Sequence, residues 1–159
     1  IIISGERHDD SFDLITRTLE KMGEIKTVEI SIESSGRHNF GTIGPDKTPV
    51  VTLPGDPIAA YISFELLIRP MIRTMLGTAT IHRPSVKAKL EKALTSSGGY
   101  RSYVRAILSE DGKSVAPLSS QDEQATLSDA NCFIAVPEGE TSLSAGAQVN
   151  VVVLERRYL

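Results

Sequence analysis

Val50-Val51-Thr52-Leu53-Pro54-Gly55-Asp56-Pro57-Ile58-Ala59-Ala60-Tyr61 decides how this chain is read. A short apolar run stops at Pro-Gly-Asp-Pro, and an amphipathic pattern follows at once. The order predicts strand, tight turn, helix. Asp56 can cap the helix N-terminus, and Pro57 suits its first position, where no backbone N–H is needed. In open α/β sheets ligands bind where a strand's carboxyl end meets a helix N-terminus, and such an N-terminus favours an anion. The turn is thus either an anion site or a well-capped connection, and the stretch alone fits both.

The amphipathic pattern continues. Phe64, Leu67, Ile68, Met71, Ile72 and Met75 follow one helical face, with Glu65, Arg69 and Arg73 opposite. Pro70 predicts a kink and Gly77 an end. Upstream, Pro49–Leu53 and Asn39–Ile43 predict paired strands around Gly44-Pro45-Asp46-Lys47, and Ser34-Ser35-Gly36 a turn. Val28, Ile30 and Ile32 alternate with Thr27, Glu29 and Ser31, as in a half-buried strand. Phe12, Ile15, Leu19 and Met22 fall at helical spacing, with Asp10 or Ser11 as N-cap, Asp13 in the first turn and Gly23 as C-cap. Ile1–Ile3 predicts a short buried strand at a sheet edge, before a polar loop, Ser4–Asp10. A start at Ile1 without Met reads as a piece of a longer protein.

After residues 78–84, which carry no period and serve as a linker, the pattern changes. Val86–Leu90, Arg101–Leu108, Val115–Leu118, Asn131–Val136 and Gln148–Leu154 predict short strands, with Asp111-Gly112 a hairpin turn and Ser119–Ala130 a polar loop. The expected organisation is an α/β part over 1–77, too short for a complete doubly wound sheet, and a small all-β barrel-like domain over 85–159.

Composition narrows the function. The 159 residues carry a net charge of −3 and no basic cluster, which argues against an electrostatic nucleic-acid binder. No apolar run approaches the ~18 residues of a membrane span. The single Cys132 excludes an internal disulfide and a multi-cysteine metal site, and it fits a reducing cytoplasm. The histidines are His8, His38 and His82, and none sits in a recognisable nucleophilic setting.

Leu53-Pro54-Gly55-Asp56-Pro57, then Phe64-Glu65-Leu66 and Arg69-Pro70, resembles the C-terminal half of the molybdopterin molybdenumtransferases, the bacterial MoeA proteins and the gephyrin E domain. Ala130-Asn131-Cys132-Phe133-Ile134, Pro137-Glu138-Gly139, Ala145-Gly146 and Val149–Leu154 resemble the family's C-terminal β domain. The resemblance implies part of a three-layer MoaB/MogA-like molybdopterin-binding domain, then the β domain. It implies a cytoplasmic homodimer that inserts molybdate into adenylylated molybdopterin with Mg²⁺, giving molybdenum cofactor and AMP. It further implies Asp13 as a catalytic and metal residue and Asp10 as a metal ligand. Ser4, Gly5, Arg37, His38, Pro54, Gly55, Asp56, Pro57 and Ser120 are the implied substrate contacts.

Several positions depart from the family pattern. The family's Ser-Gly-Gly-Val-Ser-Val-Gly-Asp-x-Asp aligns with Ser4 to Asp13, and Glu6-Arg7-His8 replace part of it. Glycines that let backbone approach a phosphate are thereby lost. Lys-Pro-Gly-Lys-Pro aligns with Glu33–Arg37, where Arg37 and His38 can stand in as cations. Gln-Gly-Ser-Gly aligns with Ser119–Asp122. These changes leave a competing reading, a catalytically impaired homologue that binds molybdopterin or acts as a scaffold. Each residue also has a structural alternative. Asp13 can be a plain first-turn carboxylate, and His8, Asp9 and Asp10 solvated loop residues. Arg37 and His38 can form an exposed turn. Arg101 and Arg105 can hold phosphate or line a solvated face, and Ser119, Ser120 and Gln121 can bind a pterin or fill a loop.

Overall fold

The computed structural model describes residues 1–6, 9–118 and 129–154, apart from the side chains of Glu6, Asp9 and Asp10. Strands dominate it. The chain forms two compact units, Ile1–Ile81 and His82–Leu159. No helix among the described residues is long and apolar enough to cross a membrane.

The first unit is built on a four-stranded sheet in the order β1-β4-β3-β2. Its strands are β1 (Ile2–Glu6), β2 (Gly23–Ile30), β3 (Gly36–Ile43) and β4 (Thr48–Pro54). β1 and β4 run parallel, and the other pairs are antiparallel. The predicted β3–β4 hairpin has Phe40 opposite Val51 and Ile43 opposite Thr48. Alternation along β4 sends successive residues to opposite faces. Val50 packs with Leu19 of helix α1 (Asp9–Glu20) and with Ile43. Val51 and Leu53 pack with Ile68 on the other side.

Ile68 lies in the long helical segment, which has three parts: α2 (Pro57–Ser63), a π turn (Phe64–Ile68) and α3 (Arg69–Met75). The irregularity expected from Pro70 is this π turn. Pro70 has no N–H to donate, and its ring crowds the carbonyl four residues back. The Arg69 N–H instead reaches the Phe64 carbonyl, five residues away. At the far end Thr78 N–H bonds to Arg73 O and Gly77 N–H to Thr74 O, with Gly77 at φ 65°. Both bonds and the left-handed glycine make a Schellman cap, as Gly77 predicted.

Four expectations are corrected. Ile1 and Ile2 are 59% and 45% exposed, because nothing in the described chain covers the outer side of β1. β2 is the opposite edge and is mostly exposed, with Val28 at 39%, so alternation there did not signal burial. Helix α1 begins at Asp9, so Asp10 and Ser11 lie inside it rather than capping it. Gly23 is not a helix cap but the first residue of β2. A Cβ there would meet the Thr42 carbonyl oxygen at 2.0 Å, so the close β2–β3 approach requires glycine.

In the second unit, the five predicted strands close into a barrel. They are β5 (Ser85–Leu90), β7 (Ser102–Leu108), β8 (Ser114–Pro117), β9 (Cys132–Val136) and β11 (Gln148–Val153), in the order β11-β5-β8-β7-β9. β11 pairs with both β5 and β9, which closes the ring and removes free edges. Two-residue strands β6 (Leu94–Thr95) and β10 (Ser142–Leu143) pair beside it. Val149, Val151 and Val153 face the core, and exposed Gln148 and Asn150 alternate with them. The Asp111-Gly112 turn is longer than a two-residue hairpin. The Asp111 carboxylate accepts from Ser109 Oγ at 2.7 Å and Lys113 N–H at 3.0 Å. These hydrogen bonds, Ser109's first, hold the Asp111 carboxyl below its usual pKa. The expected Ser119–Ala130 loop lies almost entirely outside the described residues.

Candidate active site

Most of the site residues expected in the first unit meet at one end of its sheet, where the parallel pair β1 and β4 runs out. Ile3 lies opposite Thr52 and Glu6 opposite Pro54, with a bulge between. Ser4 and Gly5 therefore fill the bulge beside Leu53. Gly5 has φ +120°, a backbone shape that favours glycine. β3 runs antiparallel to β4, so its first residues, Gly36 and Arg37, lie at the same end. Helix α1 follows β1 and brings Asp13 there as its fifth residue, one turn further in than expected. This is the carboxyl end of parallel strands, where open α/β sheets bind ligands.

Arg37 and Asp13 are brought together. The Arg37 Nη1 lies 3.5 Å from Asp13 Oδ1, and the guanidinium carbon sits 4.4 Å above the centre of the Phe12 ring. With the two side chains 39% and 52% exposed, the pair adds little stability. Stacking on Phe12, which is itself buried, nevertheless orients the guanidinium fork. A planar, permanently charged fork of donors suits a tetrahedral oxyanion.

His38 is not a ligand contact. It is fully buried and both ring nitrogens are engaged: Nδ1 with the Thr52 carbonyl at 2.8 Å, Nε2 with Ser35 Oγ at 2.9 Å. Strand alternation is the cause, because Arg37 points out and its neighbour points in. Burial holds the imidazole below its usual pKa of 6.5, against the opposing effect of its backbone contacts at Thr52 and Ser35. The ring is therefore neutral at pH 7 and offers no cation to a substrate.

Asp56 is the expected cap. Its Oδ1 accepts from Ala59 N–H at 2.8 Å, and Pro57 follows at the first helical position. The cap puts a carboxylate at the helix N-terminus, and Pro57 brings no N–H. The Asp56 carboxylate thus occupies that end of α2, which makes it less favourable for a second anion. Pro54 and Gly55 remain half-buried beside the β1 bulge.

The other positions divide. Ser119, Ser120, Gln121 and His8 lie outside the described residues, as do the side chains of Asp9 and Asp10. Arg101 is exposed but Arg105 is buried, so they do not form one phosphate-binding face. Phe12, Ser35, Thr52 and Ser63 were missed. Phe12 looked like an ordinary core position, and the other three carry no motif.

Residues 87–154 match the family model described as MoeA C-terminal region (domain IV). The chain is 31% identical to molybdopterin molybdenumtransferase 1 of Mycobacterium tuberculosis, over 97% of its own length and 38% of the relative's. It is 38% identical to molybdopterin molybdenumtransferase 2 of the same organism, over 80% of its length and 31% of the relative's. Among solved structures it resembles the molybdopterin biosynthesis MoeA protein of Pyrococcus horikoshii. There the TM-score is 0.77 at 28% identity, over 97% of this chain and 37% of that one. The chain thus spans less than two fifths of the length of these relatives. Given the domain IV match and the agreement with relatives across both units, this chain belongs to the MoeA family, of which it carries a C-terminal portion.

Proposed function

We propose that this chain is the C-terminal part of a molybdenumtransferase that inserts molybdate into adenylylated molybdopterin. One observation carries the reading. Ser4, Gly5, Asp13, Arg37 and the Pro54-Gly55 turn, chosen from widely separated motifs, gather at the carboxyl end of β1 and β4. In this reading the first unit is the later portion of a MoaB/MogA-like molybdopterin-binding domain. The helices on both faces of its sheet support that. The division into residues 1–77, a linker and 85–159 belongs to the same proposal, as do the homodimer and the cytoplasmic location.

In the proposed mechanism, Arg37 draws the oxyanion substrate to the strand ends and fixes its orientation. Asp13 and Phe12 hold the guanidinium in place, so that little ordering is left to the moment of reaction. The Ser4 hydroxyl supplies a further donor at the bulge. The reaction yields molybdenum cofactor and AMP.

Of the two residues implied as Mg²⁺ ligands, Asp13 has a described side chain and could supply one carboxylate to the ion. Mg²⁺ usually keeps several waters and is held through one or two carboxylates together with substrate phosphates. Asp13 offers one carboxylate, already 3.5 Å from a guanidinium. No group of three or more His, Cys, Asp or Glu suited to a metal occurs among the described residues.

The relatives named above are transferases, so the impaired-homologue reading is not favoured. The reading of the site is tested by calorimetric titration of the full-length protein with adenylylated molybdopterin and molybdate. Arg37→Ala should weaken binding by about tenfold, the loss of one charged hydrogen bond of about 1.5 kcal/mol. Unchanged affinity would remove Arg37, and with it this reading of the site.

A further inference from the structure

A buried chain of hydrogen bonds runs behind the strand ends. His38 Nδ1 faces the Thr52 carbonyl, which can only accept, so that nitrogen carries the proton. Nε2 is then bare and accepts from the Ser35 hydroxyl. Ser35 Oγ lies 2.9 Å from Ser63 Oγ, and since Ser35 has spent its proton, Ser63 donates. Every proton direction is thereby fixed, from α2 through the turn and β3 to β4. Ser35, His38, Thr52 and Ser63 are all at least 97% buried.

We propose that His38 is a positioning residue: through Ser35 it holds the Ser34–Gly36 turn against β4 and α2, and so aims Arg37 at the substrate. The turn needs holding. Ser34 has φ 61° and Gly36 φ 60°, two left-handed residues around Ser35, and such a conformation in a non-glycine residue costs about 1 kcal/mol or more. Within the turn, the Ser35 N–H bonds back to Ile32 O at 3.0 Å. Arg37 follows this turn directly. With His38 anchored inward on the same strand, the Arg37 side chain is directed outward, over Phe12 and toward Asp13. The Phe40 ring lies 5.9 Å from the imidazole and restricts its tilt. The anchor also links the Arg37 side of the site to Thr52, two residues before Pro54.

This inference rests on the function proposed above. The experiment is therefore chosen to separate the two. It uses the full-length protein with His38→Phe, which fills the space without polar atoms, and His38→Gln, which keeps one donor and one acceptor. Molybdate insertion is measured for each. His38→Phe should raise the KM for adenylylated molybdopterin at least tenfold with kcat changed less than threefold, and His38→Gln should restore KM to within about threefold. A merely structural histidine would lower the active fraction, and hence kcat, at unchanged KM; that result overturns the proposal. In parallel, ¹⁵N-histidine spectra should show His38 protonated at Nδ1 and bare at Nε2, and the opposite tautomer also overturns it. Should the wild type show no activity, the proposed function fails but the anchor is still decided. The Arg37 amide resonance must then move in His38→Phe and return in His38→Gln, and a resonance that stays in place refutes the anchor.

Discussion

Asn131→Ala should be among the most damaging single changes in the barrel. Asn131 is 4% exposed and stands just before β9. Its Oδ1 accepts from Leu108 N–H at 2.8 Å, and its Nδ2 donates to Leu108 O at 3.2 Å. The side chain thus continues the β7 ladder past Cys132, the first β9 residue. Leu108 is 2% exposed, so both groups are buried. Alanine orphans one buried donor and weakens one acceptor. At about 1–3 kcal/mol for each unsatisfied buried group, and less for the longer bond, the loss is about 2–4 kcal/mol. For a unit of this size that lowers its melting temperature by roughly 10–25 °C.

Asn131→Asp gives an internal check. The carboxylate can still accept from Leu108 N–H but repels Leu108 O, whereas the protonated acid can donate to it. The buried carboxyl's folded pKa is raised above the unfolded value, so its contribution is present at low pH and is lost as pH rises through the folded pKa. Circular dichroism melts of both variants from pH 4 to pH 8 measure this. A loss under 0.5 kcal/mol for Asn131→Ala, or an Asp variant equally unstable at every pH, would refute the reasoning.

Gly41→Ala should cost about 3 kcal/mol, the upper end for overpacking, because a Cβ there lies 1.9 Å from the Glu24 carbonyl oxygen, an atom of the β2 backbone. An unchanged urea midpoint would show that β2 and β3 are less close. Cys132 is fully buried and its thiol is pushed up to about 12, mainly by burial, so a thiol reagent at pH 8 should label it only as the barrel unfolds. Rapid labelling in native buffer would contradict the barrel's closure. His38 has a depressed folded pKa, so the unfolded state binds its proton more readily. The wild type should lose stability as pH falls through 6.5 toward the folded value, and His38→Gln should lack that part of the slope. Identical slopes in urea titrations would place the effect elsewhere.

The strand pattern of the second unit was legible because each strand has one face in a single closed core, so period-two alternation maps directly onto burial. Val149, Val151 and Val153 show this. The helix start at Asp56 and the helix end at Gly77 were legible for local reasons, since capping depends on neighbours in sequence. Burial in the first unit was less so. Alternating Val28, Ile30 and Ile32 promised an inner face, but β2 is an edge strand and its neighbours leave Val28 uncovered. His38 looked like a turn cation. Its burial depends on Ser63, 28 residues beyond Ser35, and no local pattern encodes that contact. Asp13 and Arg37 were each singled out by the family resemblance alone, and their meeting beside Phe12 follows from α1 and β3 both beginning at the same end of the sheet.

An apolar surface bears on the larger protein. Ile1, Ile2, Met71, Ile72 and Met75 line a groove of about 330 Å³ along β1 and α3. Contiguous exposed apolar surface of this kind marks a place where other chain packs. It agrees with the chain's spanning only part of its relatives' length.

The central claim is tested most directly by supplying full-length protein with molybdate and adenylylated molybdopterin and measuring molybdenum cofactor and AMP together. The account predicts both products in equal amounts, with Arg37→Ala strongly reducing their formation at low substrate. Cofactor and AMP no higher than in a protein-free control would contradict it.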